Sequence, residues 1–347
     1  MKTLKRILAA TTLLVTLGFA SEANAQVPLE NFFKNPEKAG YQISPDGKYF
    51  SYMAPYENRL NLFVQEVGSD KATRITSETV RDLAGSMWAN GHRILYIKDT
   101  AGDENFQLYG VNVDGTDSKA YTAFPKVRTT IIDPLENIDS LVIIGLNKRN
   151  PQVFDPYRLN LNNGELTQLA ENPGNIQGWM TDHNGKLRVA LAIVDGVNTQ
   201  ILYRETEEQP FRPVLTTNFR ETVSFATFTP DNKMVYALTN IGRDKTALVL
   251  MDPATCEEKE VLYTNDKYDI SGLGYSELKK KLISVSCTGH KGTIRHYFDK
   301  NEEAIRTKLE QKLEGYDINT TSEDKSEISV LFMLEATALM ELIIPIM

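Results

Sequence analysis

The stretch YQISPDGKYFSYMAPYENRLNLFVQEVGS (41–69) carries the pattern on which the fold depends. Turn signals stand near each end of it, at Asp46-Gly47 and at Gly68-Ser69. Between them, Tyr49–Ala54 and Leu62–Val67 are rich in Tyr, Phe, Val and Leu, which fit the pleated conformation. We interpret this stretch as the centre of a small antiparallel sheet joined by hairpin turns.

The same pattern recurs along the chain at intervals of 44 to 48 residues. The first turns are Asp46-Gly47, Asn90-Gly91, Asn184-Gly185 and Asp231-Asn232, with weaker versions at Glu136-Asn137, Ser276-Glu277 and Glu323-Asp324. A second turn follows the first six, at Gly68-Ser69, Asp114-Gly115, Asn163-Gly164, Glu207-Glu208, Pro253-Ala254 and Lys300-Asn301. Each repeat therefore holds about four short strands, which is typical of β-propeller blades.

The repeat predicts an all-β fold, a seven-bladed β-propeller with four-stranded blades, over residues 41–329. The count gives about six complete blades and the start of a seventh, so we expect the last blade to be incomplete. Two segments favour helix instead. One is Leu29 to Lys34, within an N-terminal helical lead-in at residues 26–40. The other is Glu302 to Leu313, for which a helix and a long edge strand both remain open.

Residues 1–25 have the features of a signal peptide. Lys2, Lys5 and Arg6 precede an apolar stretch, and Ala23-Asn24-Ala25 is a small-x-small cleavage signature. We therefore expect an exported protein, periplasmic or secreted, with no membrane attachment after cleavage.

The composition is that of a soluble globular protein, with 41% hydrophobic residues, 24% charged residues and a formal net charge of −8. This acidic chain has no basic patch, so we expect no nucleic-acid partner. The two cysteines, Cys256 and Cys287, do not have metal-site spacing. Their pairing cannot be read from the sequence, and two free thiols are the simpler expectation.

Four ordered stretches resemble one protein family. They are PLENFFKNPEKAGYQISPDGKYFSYMAPYENRLNLFVQ (28–65), WANGHRILYIKDTAGDENFQLY (88–109), NKRNPQVFDPYRLNLNNGELTQLAENPGNIQGW (147–179) and GRDKTALVLMDPATCEEKEVL (242–262). Together they resemble the N-terminal β-propeller of exported serine peptidases of the prolyl oligopeptidase family, on the dipeptidyl-aminopeptidase and acylaminoacyl-peptidase side. The resemblance covers roughly residues 28 to 326.

The resemblance implies a propeller that restricts access to a catalytic α/β-hydrolase domain carrying a Ser, an Asp and a His. The sequence contains no G-x-S-x-G, and the look-alikes at Ser86 and Ser276 lack its second glycine. We therefore assign no catalytic residue and expect this chain to be inactive, truncated before the hydrolase domain. The family is hydrolytic, so whether the chain counts as an enzyme is left open. We interpret residues 330–347 as an aberrant apolar tail, as from a frameshift or a gene fragment.

Two surface groups are candidates for a gate that meets the substrate. Asp103 and Glu104 lie in an acidic loop that could bind the positive amino end of a peptide, although a solvated loop is the plainer interpretation. Lys148 and Arg149 could anchor a peptide carboxylate, although a hairpin turn with charged residues at its tip is the plainer interpretation.

Three apolar residues, Leu29, Phe32 and Phe33, are candidates for docking the missing hydrolase domain. Packing of a short helix on the propeller is the alternative. His92, His183, His290 and His296 do not have metal-ligand spacing, so we expect no metal and no cofactor. The expected partners are peptides or the hydrolase domain.

A different class of function stays open, because exported propellers also serve as scaffolds that bind protein partners. Such a periplasmic scaffold would use the same blades and turns. An enzyme whose active site lies in the propeller channel is disfavoured, since no convergent set of His, Asp and Glu stands out in the sequence.

Overall fold

A computed structural model of the chain describes residues 28–32, 34–290, 292–336 and 341–345. The predicted signal peptide, residues 1–25, lies outside the described residues. The chain divides into two compact units, one ending at Pro36 and one beginning at Glu37. In the first unit, Leu29–Phe32 forms a short 3₁₀ helix, in the segment for which the sequence predicts helix.

The second unit consists of seven antiparallel sheets, each built from one continuous stretch of chain. Sheet 1 contains β1 (Ala39–Ile43), β2 (Tyr49–Tyr56), β3 (Arg59–Glu66) and β4 (Ala72–Arg74). Sheet 2 contains β5 (Gly85–Asn90), β6 (Arg93–Lys98), β7 (Gln107–Asn112) and β8 (Lys119–Ala120). Sheet 3 contains β9 (Thr129–Asp133), β10 (Leu141–Asn150), β11 (Val153–Asn160) and β12 (Leu166–Gln168). In each sheet the strands pair in chain order.

The other four sheets follow the same order of pairing. Sheet 4 contains β13 (Ile176–Thr181), β14 (Leu187–Val194), β15 (Asn198–Tyr203) and β16 (Arg212–Thr217). Sheet 5 contains β17 (Val223–Phe228), β18 (Val235–Thr239), β19 (Ala247–Met251) and β20 (Glu258–Tyr263). Sheet 6 contains β21 (Ile270–Ser276), β22 (Lys281–Gly289) and β23 (Gly292–Tyr297), and sheet 7 contains β24 (Tyr316–Glu323), β25 (Val330–Ala336) and β26 (Glu341–Pro345). Sheets 1 to 5 have four strands, and sheets 6 and 7 have three.

The turn between the first two strands of sheet 1 shows why the repeat folds as it does. Ser44 Oγ donates to Asp46 Oδ1 at 2.7 Å, and the N–H of Tyr49 donates to Ser44 Oγ at 3.0 Å. Gly47 has φ +71°, a conformation that glycine adopts without steric cost. Asp182 holds the corresponding turn of sheet 4 by accepting from the N–H groups of Asn184 and Lys186. These side-chain caps satisfy backbone groups that the ladder leaves unpaired.

The hydrophobic core lies between neighbouring sheets. Leu62 and Val64 of β3 pack with Ile94 of β6, and Val189 of β14 packs with Val235 of β18. Because each sheet presents apolar residues to a neighbour, the core is a series of layers and has no single centre. Cys287 is buried in one such layer, and both cysteines are free thiols.

Contacts also join the last sheet to the first. The N–H of Ile43 in β1 donates to Ser322 Oγ in β24 at 3.0 Å. The N–H of Lys325, in the turn after β24, donates to Pro45 O at 2.9 Å. Sheet 7 therefore packs beside sheet 1, and the sheet-to-sheet contacts form a closed cycle.

Sheet 6 departs from the prediction of six complete four-stranded blades. The turn expected at Lys300-Asn301 is instead the start of the helix α1 (Lys300–Lys312), and sheet 6 has no fourth strand among the described residues. Asp299 caps this helix, accepting from the N–H groups of Asn301 and Glu302. The Lys281 ammonium and these N–H donors hold the pKa of Asp299 at about 2. Of the two alternatives open for Glu302 to Leu313, the structure therefore has the helix.

The segment interpreted from the sequence as an aberrant tail forms two strands where it is described. Val330–Ala336 forms β25, paired with β24 from Glu323↔Val330 to Tyr316↔Ala336, and Glu341–Pro345 forms β26. Leu331 and Leu334 are buried. The continuous apolar run without alternation fits a strand that is covered on both faces.

One buried arginine of sheet 4 links this sheet to sheet 5. Arg188 is 4% exposed, forms an ion pair with the buried Asp182, and donates to Asn232 O in the first turn of sheet 5 at 2.8 Å.

We expect Arg188→Ala to lower the free energy of unfolding by about 3–5 kcal/mol, because it leaves a buried carboxylate without its partner. Urea titration followed by tryptophan fluorescence measures this. The matched change at the exposed Arg220, Arg220→Ala, should stay within about 0.5 kcal/mol of wild type. Equal effects of the two substitutions would contradict the assignment.

Candidate functional site

The first turns of several sheets meet in one polar cluster, which we call the turn hub. Its members are Asn90, Asp133, Glu136, Asn137, Asp139, His183, Glu277 and Lys325. They come from sheets 2, 3, 4, 6 and 7. Their contacts span up to 186 residues of sequence.

The loop between β9 and β10, residues 134–140, makes most of these contacts, and we call it the cross-ring loop. Asn137 Nδ2 donates to Glu277 Oε2 at 3.0 Å, and Lys325 Nζ lies 2.7 Å from Asp139 Oδ1. Asn90 Nδ2 donates to Asp139 O at 3.2 Å. The loop thus extends from sheet 3 to sheet 2 beside it and to sheets 6 and 7, which are not its neighbours in the cycle.

A cavity of about 280 Å³ lies against this loop, and we call it the hub cavity. Trp179, Met180 and Thr181 of β13 and Ala226 and Thr227 of β17 line one part of it. The cross-ring loop, Asp133, Asp182, His183 and Glu277 line the rest. The cavity is large enough for several water molecules or for a small ligand group.

Carboxylates dominate the electrostatics of the turn hub. Burial raises the pKa of Glu136 above the usual range, and repulsion from Glu277 and Asp133 raises it further. Glu136 is solvent-exposed, but it lies among the turns, where protein atoms replace much of the surrounding water. Burial, followed by repulsion from Glu327 and Glu136, likewise raises the pKa of Glu323. A site with this charge favours cations and disfavours anions.

His183 is the single basic side chain among the residues that line the hub cavity. Its Nε2 lies 2.9 Å from Phe228 O, its Nδ1 lies 3.5 Å from Glu277 Oε2, and its ring stacks on Tyr275 at 5.5 Å. Burial raises the pKa of Tyr275 to about 12, with a further contribution from Glu277. His183 is therefore held by a carbonyl and a carboxylate, an arrangement that fixes its ring.

The hydroxyls near the turn hub are also already engaged. Thr181 Oγ1 donates to Asp133, and Ser276 Oγ donates to Glu327. Across residues 28–345 as far as they are described, no group of three or more His, Cys, Asp or Glu residues is placed to hold a metal ion. The chemistry that this arrangement supports is the binding of a polar or cationic group.

The structure places Asp103 and Glu104 in the exposed loop between β6 and β7. Asp103 accepts from the N–H groups of Thr100 and Asn105. The pKa of Asp103 is lowered, chiefly by the hydrogen bond from the Asn105 side chain. The N–H of Glu104 donates to Asp99 Oδ2 at 3.2 Å. This geometry organises the loop locally, and the pair is not part of the turn hub.

Lys148 and Arg149 lie at the end of β10, before the turn to β11. The Arg149 guanidinium binds both oxygens of the buried Asp155, at 2.9 and 3.0 Å, and also donates to Asn172 O at 2.7 Å. Lys148 Nζ lies 4.5 Å from the centre of the Phe124 ring. Arg149 is thus committed to its own sheet, which leaves little of its guanidinium for a peptide carboxylate.

The predicted docking residues belong to the first unit. Leu29 is 72% exposed, and Phe32 is the last residue of the 3₁₀ helix. Phe33 lies outside the described residues. Docking of another domain at these residues stays a prediction.

Sequence reasoning missed the turn hub, although a signal was present. The three turns that fit the repeat least well, Glu136-Asn137, Ser276-Glu277 and Glu323-Asp324, each contribute a glutamate to the hub or its surroundings. A turn that needs only to reverse the chain favours Asp-Gly or Asn-Gly. Glutamates at these positions could therefore have indicated another role.

Comparisons with known proteins agree with the sheet architecture. Dipeptidyl aminopeptidase BIII of Pseudoxanthomonas mexicana is 30% identical over 319 residues, which cover 88% of this chain and 45% of that protein. Dipeptidyl peptidase family member 6 of Caenorhabditis elegans is 26% identical over 299 residues, covering 80% of this chain and 40% of that protein. This chain thus spans less than half the length of these curated relatives. No family model matches the sequence.

Among solved structures, one from an analysis of two prolyl endopeptidases superposes with a TM-score of 0.59 at 11% identity. The match covers 94% of this chain and 51% of that chain, and at this identity it shows the fold alone. The chain is therefore a mostly β, propeller-like protein. It belongs to the prolyl oligopeptidase family, among the dipeptidyl peptidase relatives, and corresponds to their propeller-like part.

The crowding of carboxylates in the turn hub predicts a pH-dependent contribution to stability. Because the folded pKa of Glu136 lies above its unfolded value, its contribution is complete below about pH 4.3 and is lost as pH rises through the raised pKa. We expect Glu136→Gln to raise the midpoint of thermal unfolding at about pH 7 and to lose that advantage near about pH 4. Differential scanning calorimetry at both pH values measures this. The exposed Glu165 on an outer turn supplies the control, Glu165→Gln, which should change neither midpoint. A lower midpoint for Glu136→Gln at neutral pH would refute the repulsion argument.

Proposed function

We propose that the seven sheets are the blades of a seven-bladed β-propeller with an incomplete last blade, and that this propeller controls access of peptides to a serine peptidase active site. The observation that carries the proposal is the 30% identity to a dipeptidyl aminopeptidase over 88% of the chain. The closed cycle of sheet contacts supports the propeller, because a ring of blades leaves no sheet face uncovered.

The chain's own residues give the gate its selectivity. The hub cavity is small, and its charged lining is mainly carboxylate. A propeller interior of this size admits extended or short peptides and excludes folded proteins. The negative charge favours the protonated amino end of a peptide over its carboxylate end, because like charges repel strongly where little water screens them.

Catalysis is assigned to an α/β-hydrolase domain and to no residue of this chain. Ser86 lies in β5, and Ser276 ends β21 with its hydroxyl bound to Glu327. Neither serine stands on a turn from a strand into a helix, the position that exposes a nucleophile in hydrolases. The described residues contain no helix long and apolar enough to cross a membrane. Export through the predicted signal peptide, to the periplasm or beyond, is part of the proposal.

The assignment of catalysis predicts that this chain alone is inert. We expect no labelling of the purified chain by a fluorophosphonate probe and no turnover of dipeptidyl or acyl-peptide chromogenic substrates, because neither Ser86 nor Ser276 stands on a strand-to-helix turn. An active serine hydrolase in the same assay controls for the probe. Labelling that Ser86→Ala or Ser276→Ala removes would place a nucleophile among the blades and overturn the proposal.

Binding tests the gate directly, since Trp179 lines the hub cavity and reports on its occupancy. In a Trp88→Phe background Trp179 is the only tryptophan left. We expect its fluorescence to change on titration with glycyl-phenylalaninamide and to respond about tenfold less strongly to the N-acetylated peptide, which lacks the ammonium.

Matched variants identify the site of binding. Glu277→Gln should weaken the interaction with the free amine, and Glu165→Gln on an outer turn should leave it unchanged. If the acetylated peptide binds equally well, the cavity does not select for an amine. If neither peptide binds and the isolated chain is stable, the alternative of a scaffold for protein partners is favoured.

A further inference from the structure

We propose that the cross-ring loop, residues 134–140, is a lid over the hub cavity whose opening depends on the ionisation of the carboxylates around its tip. This inference rests on the proposed gating function and adds a way for the propeller itself to regulate access to the cavity. Its tests use the ligand-free chain, so they succeed or fail independently of peptide binding.

The geometry of the loop is that of a lid. It is the longest of the seven first turns, with seven residues between β9 and β10. Five of its residues, at positions 134–138, line the hub cavity, so the loop forms one wall of it. The tip is fastened on the far side by Lys325 of sheet 7 and Glu277 of sheet 6. A wall fastened at its tip can swing out when those contacts break.

The fastenings are individually weak. The side chains of Lys325 and Asp139 are 40% and 63% exposed, so water and salt screen their ion pair. The hydrogen bond from Asn137 to Glu277 is also exposed. Leu135, 7% exposed, and the half-buried Ile138 are the apolar anchors, and both side chains lie close to Gly185 in sheet 4. A loop held by two apolar side chains and a few mostly exposed polar contacts opens locally at lower cost than a core strand.

Like charges oppose the closed position. Glu136 faces Asp133 at the base of its own loop, Glu277 of sheet 6 and Glu323 of sheet 7. Lys325 is the one cation among the groups that act on Glu136. His183 of sheet 4 lies beside Glu277, at 3.5 Å. Closure thus brings one glutamate among three other carboxylates, which is favourable only when a proton or a cation neutralises part of the charge.

The sign of the pH dependence follows from this crowding. Because burial, and then repulsion from Glu277 and Asp133, raise the pKa of Glu136 in the closed position, protonation and closure favour each other. The lid should be closed at about pH 5 and open more often at about pH 7.5. His183 also faces this cluster, and its contact there is with Glu277, at 3.5 Å.

Hydrogen exchange of the loop amides measures the opening. We expect peptides that cover residues 134–138 to exchange about two- to fivefold faster at about pH 7.5 than at about pH 5, after correction for the intrinsic rate. Lys325→Gln should speed their exchange by a similar factor at both pH values, the effect of losing one exposed ion pair. Glu136→Gln should slow exchange at the higher pH and remove most of the pH dependence.

The control comes from another first turn of the same molecule. Lys233 pairs with Asp231 at 3.7 Å within the turn of sheet 5 and does not reach across the ring. Lys233→Gln should leave the loop's exchange unchanged. The lid is refuted if Lys325→Gln changes the exchange rate of the loop amides no more than Lys233→Gln does. It is refuted as well if Lys325→Gln speeds exchange equally in all sheets. It is also refuted if Glu136→Gln keeps the full pH dependence of wild type.

A second measurement follows the cavity instead of the loop. In the Trp88→Phe background, acrylamide should quench Trp179 more strongly at about pH 7.5 than at about pH 5, because an open lid admits the quencher. Lys325→Gln should increase quenching and Glu136→Gln should decrease it. Faster exchange of the loop without a change in quenching would mean that the loop moves but does not cover the cavity, and the lid would be rejected.

Discussion

The structure depends on the burial of sheet faces between neighbours. No sheet of four short strands can cover both of its own faces, so each one needs a partner on either side. The apolar layers between sheets 1 and 2, sheets 2 and 3, and sheets 4 and 5 supply those partners. The bonds from Ile43 to Ser322 and from Lys325 to Pro45 complete the cycle by covering the first sheet with the last. Once the cycle closes, the first turns of all the sheets are brought toward one another.

This convergence explains the concentration of charge. Glu136 and Glu277 are 141 positions apart in a chain of formal net charge −8, yet they contribute to one cluster. Repulsion among them is tolerated because the packing between sheets, and not the turns, supplies most of the stability. A polar interior maintained at this cost is most simply explained by a role in binding or gating, and the family relationship points in the same direction.

Much of the fold could be predicted because it is local. The Asp-Gly and Asn-Gly signals mark hairpins whose side-chain caps, such as that of Ser44 and Asp46, lie within a few residues of sequence. The sixth sheet could not be predicted in the same way. Lys300-Asn301 has the composition of a turn, but Asp299 caps a helix there with two backbone N–H groups. Val330–Ala336 shows no alternation of apolar and polar residues, yet it pairs with β24 as a strand, with Leu331 and Leu334 buried.

The sequence by itself determined the repeat, its period and the turn that opens each sheet, because these rest on interactions between residues that are close along the chain. It also carried the relationship to the peptidase family, through stretches spread over most of its length. Only the tertiary structure decided which turns meet. The pairing of Asp139 with Lys325 and of Asn137 with Glu277 depends on ring closure and on the length of one loop. No local pattern encodes such contacts, because each joins side chains from sheets far apart in the sequence.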